Sequence, residues 1–170
     1  MKTIELTQNQ VALVDDEDFE WLNQWKWRAV WDSGTHSFYA MRTAPRVEGK
    51  RSLGMHRLIL GLGPGEMGDH EDHDTLNNQR YNLRRCTNAQ NQANGRKRRD
   101  NTSGSRGVHW RKAVHKWVVQ IKVSGRFIHL GYFDDITAAA RAYDAAARQH
   151  FGEFACCNFQ EGEDCHERTD

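Results

Sequence analysis

Apolar and polar residues alternate at the start of the chain and then change to a helical spacing. The segment IELTQNQVALVD has the two-residue period of half-buried strands, and it predicts one or two strands. In EDFEWLNQWKWRAVW, Phe19, Leu22 and Trp25 recur on one helical face before the strand-like WKWRAVW. SFYAMRT predicts another strand after the turn-forming triplet DSG. We therefore expect a β-rich region over about residues 1–50, in which four tryptophans are packing residues: Trp21, Trp25, Trp27 and Trp31.

The pattern towards the other end of the chain predicts a small sheet. Strands are expected at about 106–111, 116–123 and 126–132, and the dipeptide Ser124-Gly125 suits a tight hairpin turn. Side chains of the second strand alternate between two faces. One face carries Trp117, Val119, Ile121 and Val123, and the other carries Val118, Gln120 and Lys122.

A helix is expected directly after this sheet. Asp134 or Asp135 is a suitable N-cap, and Gly152 is a suitable end. The small alanines of its apolar stripe allow the helix to lie close to the sheet. The stripe consists of Ile136, Ala139, Ala140, Tyr143, Ala147 and His150.

Charge is distributed very unevenly along the 170 residues, although the net charge is only +1. Residues 80–130 contain thirteen Lys and Arg but a single acidic residue, Asp100, whereas both flanking segments are acidic. A basic segment interleaved with aromatic residues is typical of a nucleic-acid surface. The composition thus favours a nucleic-acid surface over a solvated basic face.

The remaining composition favours a cytoplasmic protein that does not enter a membrane. No apolar stretch approaches the roughly 20 residues that a membrane span requires, and MKTIELTQNQ is not a signal peptide. The cysteines lack the spacing of a disulfide framework or a zinc ribbon, so we expect them to be reduced. They are Cys86, Cys156, Cys157 and Cys165.

Four polar residues in the middle of the chain have the chemistry that phosphodiester hydrolysis requires. Eleven residues separate His70 from Asn82, eight separate Asn82 from Asn91, and Asp69 directly precedes His70. A neutral histidine can accept the proton of an attacking water. A hard divalent cation on oxygen ligands can neutralise the scissile phosphate and the leaving 3′ oxygen.

The run DHEDHDTLNNQRYNLRRCTNAQNQAN resembles the ββα-metal motif of HNH endonucleases, in the His-Asn-Asn form of phage and intron homing enzymes. The resemblance extends over about residues 1–95 and implies a two-stranded ribbon followed by a helix. It implies that His70 is the general base and that Asp69 and Asn91 bind the metal. Asn82 is then expected to brace the loop between the strands.

The chain departs from that family next to the aspartate and histidine. Gly68 and Glu71 replace the usual apolar neighbours, and we expect Gly68 to weaken its strand. Glu71, Asp72 and Asp74 add negative charge, which either assists metal binding or repels DNA. Asn91 in the third motif position favours Mg²⁺ or Mn²⁺, one ion per site, over zinc. His56 is a candidate DNA contact.

A structural zinc site is the competing interpretation of the same segment. Its ligands would come from His70, His73, Cys86 and the pair Cys165-His166. Their spacing matches no closed tetrahedral pattern, so we favour the endonuclease motif.

About residues 103–159 resemble the ethylene-response-factor (APETALA-type) DNA-binding domain. The resemblance rests on SRGVHWRK, HKWVVQI, HLGYFDDITAAARAYDAAA and the closing NF. It implies that the partner is double-stranded DNA, with a three-stranded sheet in its major groove and one supporting helix. Carried over, the DNA contacts are Arg106, Trp110, Arg111, Trp117, Lys122 and Arg126. For Trp117, core packing is an equal alternative.

The sequence as a whole predicts an α+β protein. Residues 1–95 form an HNH endonuclease domain with a β-rich N-terminal part, 96–102 a basic linker, and 103–159 a three-stranded antiparallel sheet packed on one helix. Residues 160–170 form a disordered acidic tail. We expect the segment GRKRRDNTSGS around the linker to be flexible or to become ordered only on DNA.

The predicted function is sequence-directed DNA cleavage by a homing-type enzyme of a phage or mobile element. A monomer is expected to nick DNA, and a homodimer to cut both strands. The alternative is a DNA-binding transcriptional regulator whose nuclease motif has lost activity. RNA binding is disfavoured because the sequence shows no stacked aromatic platform for single strands.

Overall fold

The computed structural model describes residues 1–43, 52–97 and 100–159. It has the expected mixed α+β composition, with several small antiparallel sheets, and it divides into two compact units at Asn91. None of the helices in the described ranges is long and apolar enough to cross a membrane. The predicted acidic tail, 160–170, lies outside the described residues.

The first unit begins with two strands where the sequence predicted one or two, and β1 (Lys2–Glu5) is antiparallel to β2 (Val11–Val14). Helix α1 (Asp16–Leu22) follows. A second sheet has the order β3-β4-β5, and helix α2 begins directly after its last strand. These elements are β3 (Arg28–Asp32), β4 (Ser37–Arg42), β5 (Leu53–Gly54) and α2 (Met55–Ile59).

A two-stranded ribbon and a short helix complete the motif region. Strand β6 (Met67–His70) is antiparallel to β7 (Leu83–Cys86), and α3 (Asn88–Asn94) follows. The register pairs Asp69 with Arg84 and His70 with Leu83. The order strand, strand, helix is the order that the resemblance implied for this segment.

Gly68 has a packing function in β6 that the sequence did not reveal. A Cβ atom at Gly68 would lie 2.8 Å from Leu60 Cδ1 and 3.0 Å from Leu62 Cδ1. These leucines therefore occupy the space that a side chain at position 68 would fill. We expected Gly68 to weaken the strand, but here it allows the segment after α2 to lie against the ribbon.

The core of the first unit joins both sheets, α2 and the ribbon. It contains Ile4, Ala12, Val14, Leu22, Trp27, Ala40, Met55, Ile59 and Leu83. Trp27 is buried and its Nε1 donates to the carbonyl of Leu22 at 2.9 Å. Trp21 and Trp25 pack at the core's edge, as predicted. The packing prediction is wrong for Trp31, which is 51% exposed at the end of the β3–β4 hairpin.

Two aspartates at the start of α1 hold the chain segment that leads into β7. The guanidinium of Arg80 donates to both carboxylate oxygens of buried Asp18, at 2.7 and 2.8 Å. Asp15 accepts from the backbone N–H of Arg80 at 2.7 Å and from the Gln79 side chain at 3.0 Å. The N-terminal region thereby fixes the loop that separates the two ribbon strands.

The second unit contains the predicted sheet and helix. The strands are β8 (Val108–Arg111), β9 (Lys116–Val123) and β10 (Arg126–Phe133), in the order β10-β9-β8. Ser124 and Gly125 both have positive φ, 49° and 82°, as a tight hairpin turn of type I′ requires. Helix α4 (Ile136–Phe151) begins after Asp135, whose Oδ2 accepts from the N–H of Ala138, and ends at Gly152.

The helix packs on the sheet through small side chains. Its buried residues include Ala139, Ala140, Tyr143 and Ala147 of the predicted stripe, packed on the face that carries Val119 and Ile121. A Cβ atom at Gly107 would collide with the Tyr143 ring, so glycine is required where helix and sheet approach each other. The stripe prediction is wrong for His150, which is exposed; the neighbouring Phe151 packs on the core instead.

A buried carboxylate fastens the C-terminal segment to α4. Asp144, only 2% exposed, accepts from the backbone N–H groups of Asn158 and Phe159 at 2.7 and 2.9 Å. It also accepts from the Asn158 side chain at 3.0 Å. Asn158 in turn bonds both backbone groups of Arg106. The sequence analysis did not single out Asp144, because it lies in a run of alanines.

The described part of the predicted flexible segment has its own hydrogen bonds. Ser103 Oγ donates to the carbonyl of Val108 at 2.7 Å, and the Asn101 side chain donates to the carbonyl of Ser105 at 2.8 Å. Residues 100–105 therefore form a hydrogen-bonded loop next to β8. Of the predicted linker, only residues 98 and 99 lie outside the described ranges.

Removal of the buried carboxylate should destabilise the second unit. We expect Asp144→Ala to lower the free energy of unfolding by about 3 kcal/mol, because three donors, two of them backbone N–H groups, lose a charged acceptor. Urea unfolding of the full chain, followed by circular dichroism, measures this change. The control is Asp134→Ala, which removes an exposed ion pair with Lys116 and should cost less than about 1 kcal/mol. Equal effects of the two substitutions would contradict the fastening role.

Candidate active site and nucleic-acid interface

Asp69 and His70 lie at the end of β6, and both side chains are buried, at 7% and 5% exposure. Neighbouring residues of a strand point to opposite faces. Asp69 accordingly shares a face with Arg84. His70 points the other way and contacts the His56 ring of α2.

The Asp69 carboxylate is held by an arginine that the sequence analysis missed. Arg84 Nε and Nη2 both donate to Asp69 Oδ2, at 3.1 and 3.0 Å. Arg84 Nη1 lies 3.6 Å from Glu71 Oε2, so the same guanidinium also pairs with one of the extra carboxylates. The cross-strand register of β6 and β7 brings these groups together. Sequence analysis missed Arg84 because the register of two strands depends on the geometry of the turn between them.

Two aromatic rings, those of His56 and Tyr39, lie against the His70 imidazole. The imidazole centroid lies 5.0 Å from that of His56 and 6.1 Å from that of Tyr39, both in edge-on geometry. Burial lowers the pKa of His70 below its usual value, while a hydrogen bond with Asn78 and nearby carboxylates act in the opposite direction. The neutral form, which can accept a proton, therefore predominates at neutral pH.

Asn82 holds the loop between β6 and β7 from inside. Its buried side chain donates to the carbonyl of Asn77 at 2.8 Å and accepts from the N–H of Asp72 at 2.9 Å. Its backbone carbonyl accepts from the N–H of Glu71 at 2.9 Å. Asn82 thus braces this loop through its side chain and its backbone.

Asp72 and Asp74, whose role the sequence left open, build the turn of this loop. Asp72 Oδ1 accepts from the N–H of Asp74 at 2.7 Å, and its Oδ2 accepts from the Asn77 side chain at 2.9 Å. Asp74 Oδ1 accepts from the N–H of Leu76 at 3.1 Å. Two of the three additional carboxylates are therefore engaged in loop hydrogen bonds.

The predicted metal ligands are one carboxylate and one amide. Asn91 lies on α3 and is partly buried, with its N–H bonded to the carbonyl of Thr87. In the described ranges, no group of three or more His, Cys, Asp or Glu side chains is arranged to hold a metal ion; an Asp and Asn pair is not such a group. The two oxygen donors suit a hard divalent cation that keeps water and phosphate ligands. Such a cation would share Asp69 with Arg84.

The alternative zinc site receives no support from the described residues, which contain no such cluster. Cys86 is a free cysteine, and burial raises the pKa of its thiol. Cys165 and His166 lie outside the described residues.

The three-stranded sheet of the second unit leaves one face uncovered by α4. We call it the outer face. By strand alternation and register it carries the side chains that do not share a face with Val119 and Ile121. Its members are His109, Arg111, Lys116, Val118, Gln120, Lys122, Phe127, His129 and Tyr132.

Side-chain contacts within one strand and across the sheet organise the outer face. Arg111 Nη1 donates to the Tyr132 hydroxyl at 3.2 Å, and the Tyr132 and His129 rings lie 4.7 Å apart. Lys122 Nζ lies 5.8 Å from the centre of the Phe127 ring, and Phe127 is 70% exposed. Cationic, amide and aromatic groups thus occur together on one exposed surface.

Of the six predicted DNA contacts, Arg111 and Lys122 lie on the outer face. Trp117 and Trp110 form a cross-strand pair, with ring centroids 5.1 Å apart, on the face that carries α4. Trp117 packs against the core, whereas Trp110 is 42% exposed. Arg126 pairs with Val123, which places it on the same side as the tryptophans.

Arg106, another predicted DNA contact, makes hydrogen bonds within the second unit. Its guanidinium donates to the Tyr143 hydroxyl at 2.9 Å and to the carbonyls of Gly95 and Gln92. His56, the candidate DNA contact of the first unit, is partly buried and its ring lies against that of His70.

Sequence reasoning missed several groups of the outer face. His109, Phe127, His129 and Tyr132 could have been found by extending the alternation of the second strand across its two neighbours. The bulge between His129 and Gly131 shifts the register of β10, and a sequence does not reveal such a shift.

The chain matches no model of a known protein family, and no curated protein was found to be similar to it. The assignment of a function therefore depends on the geometry described above and on the two sequence resemblances.

Acid should destabilise the first unit through His56. Burial, with His70 and Arg57 nearby, lowers the pKa of His56 from 6.5 to about 3. Between these values the unfolded chain binds a proton that the folded chain excludes. The contribution of neutral His56 to the free energy of unfolding is therefore fully present above 6.5, the pKa in the unfolded chain. It is lost as the pH falls from 6.5 towards 3.

Urea midpoints of the full chain at about pH 7 and about pH 5 measure this effect. We expect a lower midpoint at the acidic pH, and a smaller decrease in His56→Phe, which has no titrating ring at position 56. The same decrease in both proteins would contradict the assignment of the effect to His56.

Proposed function

We propose that this protein is a metal-dependent DNA endonuclease of the HNH type, in which His70 is the general base. The observation that carries the proposal is the buried imidazole of His70 at a strand end, which burial keeps neutral and which directly follows Asp69 in the chain. The ribbon-and-helix order of β6, β7 and α3 and the resemblance of the motif both support it.

His70 accepts the proton of the water that attacks the scissile phosphate, and the 3′ oxygen leaves. The surrounding rings of Tyr39 and His56 keep the imidazole desolvated and therefore neutral. Asp69 and Asn91 are the residues that would hold Mg²⁺ or Mn²⁺. When bound, the cation supplies positive charge for the phosphate and the leaving oxygen.

Asn82 has a supporting role in this proposal. Its hydrogen bonds to Asn77 and Asp72 fix the loop that connects the two ribbon strands. The loop geometry in turn fixes where Asp69 and His70 end their strand. Precise placement matters because a small misalignment of a catalytic group costs much of its rate contribution.

The outer face of the second unit is the proposed DNA-binding surface. Arg111, Lys116 and Lys122 supply positive charge, and Gln120 offers the donor and acceptor pair that suits adenine. The sheet face is thus equipped for both phosphate and base-edge contacts. Site selection by this face and cleavage by the first unit agree with a homing-type enzyme of a phage or mobile element.

One observation favours a second candidate function, a DNA-binding regulator without nuclease activity. Arg84 donates two hydrogen bonds to Asp69 Oδ2, so a guanidinium binds the carboxylate that is proposed to hold the metal ion. If Arg84 retains the carboxylate in the presence of Mg²⁺ and Mn²⁺, the second unit still binds DNA but no cleavage follows.

Replacement of the general base separates these two functions. We expect His70→Ala to slow cleavage of supercoiled plasmid in Mg²⁺ or Mn²⁺ by roughly 10²–10⁴-fold, while DNA binding stays unchanged. The matched control is His150→Ala, an exposed histidine on α4, which should cleave at the wild-type rate. Comparable rates for His70→Ala and the wild type would remove His70 from the mechanism.

The outer face is tested by binding of the full chain to a labelled duplex in EDTA, which prevents cleavage. We expect Lys122→Ala to weaken binding and to make the slope of log affinity against log salt shallower by about 1, as loss of one phosphate contact requires. Arg141→Ala removes the same charge from an exposed position on α4 and should leave the slope unchanged. Equal effects of both substitutions would exclude the outer face as the binding surface.

A further inference from the structure

The ring of His56 lies against that of His70, the proposed general base. It is the second residue of α2, and its ring centroid lies 5.0 Å from that of His70 at an interplanar angle of 65°. The Tyr39 ring of β4 lies 6.0 Å from His56 and 6.1 Å from His70. Three rings from three separate elements therefore pack together around the base.

Two glycines leave the space that the His56 ring fills. A Cβ atom at Gly54 would lie 2.9 Å from His56 Cε1, and a Cβ atom at Gly68 would lie 3.5 Å from His56 Cδ2. Gly68 also admits Leu60 and Leu62, which follow α2. The backbone around His56 thus allows the ring to approach β6 closely, two residues before His70.

Packing is the contribution that His56 is suited to make. The imidazole stays neutral near pH 7, because burial and the neighbouring His70 and Arg57 lower its pKa to about 3. Edge-to-face contacts between rings stabilise one relative orientation. A side chain that packs against neighbouring rings has fewer accessible rotamers than one that faces an empty space.

We infer that His56 is a positioning residue, which together with Tyr39 holds the His70 imidazole in the orientation from which it accepts the proton of the attacking water. This inference deepens the proposed function and rests on it. His56 acts through ring packing, so an aromatic ring of similar size can replace it, whereas a methyl group cannot.

Single-turnover cleavage by the full chain tests the inference. With protein and metal at saturation, we expect His56→Ala to lower the maximal rate roughly 10- to 100-fold, because the base is no longer held in place. The protein concentration at half-saturation and the metal midpoint should stay unchanged. His56→Phe, which keeps a ring, should restore the maximal rate to within a few-fold of the wild type.

Leu58→Ala is the matched control for general loosening of α2. Leu58 lies on the same helix and packs against the core. We expect it to lower the unfolding midpoint but to keep the maximal rate of the folded protein. A loss of rate in Leu58→Ala equal to that in His56→Ala would overturn the positioning role. A loss in His56→Phe as large as in His56→Ala would overturn it too, because the ring alone would then be insufficient.

An NMR measurement makes the inference independent of cleavage. The ring signals of His70 carry shifts from the neighbouring Tyr39 and His56 rings. We expect these signals to broaden or move in His56→Ala and to return towards their wild-type state in His56→Phe. Unchanged His70 signals in His56→Ala would refute the positioning role, whether or not the protein cleaves DNA.

Failure of the proposed function gives a different result. Cleavage at the wild-type rate by His70→Ala would refute the proposed function, whereas unchanged His70 signals in His56→Ala would refute only the positioning role.

Discussion

The close approach of the segment after α2 to strand β6, at Gly68, is the constraint on which the first unit depends. Without a side chain at this position, Leu60 and Leu62 reach the ribbon and His56 reaches the neighbourhood of His70. The burial of His70 follows from this contact. An alanine at position 68 would have to displace Leu60, since its Cβ would lie 2.8 Å from that side chain.

The opposite side of the motif is held by ionic hydrogen bonds. Asp15 and Asp18 bind Arg80 before β7 begins, and Arg84 binds Asp69 across the ribbon. A buried carboxylate stays charged at moderate cost only when donors surround it. Apolar packing at Gly68 and these charged contacts together define where the strand end that carries Asp69 and His70 lies.

The sequence predicted those parts of the molecule that depend on local periodicity. The two N-terminal strands, the hairpin at Ser124-Gly125 and the limits of α4 at Asp135 and Gly152 all follow from alternation, turn chemistry and capping. Each of these features depends on the backbone conformation of a few neighbouring residues, so a local sequence pattern is enough to predict it.

Features that depend on long-range contacts could not be predicted in the same way. Arg84 became a partner of Asp69 through strand register, and Arg106 became a structural residue through Tyr143 on the distant α4. His56, an isolated histidine in sequence, owes its place beside His70 to two glycines from different elements. In each case the deciding neighbour is far away along the chain, so residue type alone suggested surface chemistry.

The proposed hydrolysis is tested most directly by the chemistry of the cut ends. We would incubate the full chain with supercoiled plasmid in Mg²⁺ or Mn²⁺, with EDTA as the control, and treat the nicked product with DNA ligase. Departure of the 3′ oxygen predicts nicks with 3′-hydroxyl and 5′-phosphate ends, which ligase reseals. No nicked plasmid in either metal, nicking that persists in EDTA, or ends that ligase cannot seal would contradict hydrolysis by His70 and a metal.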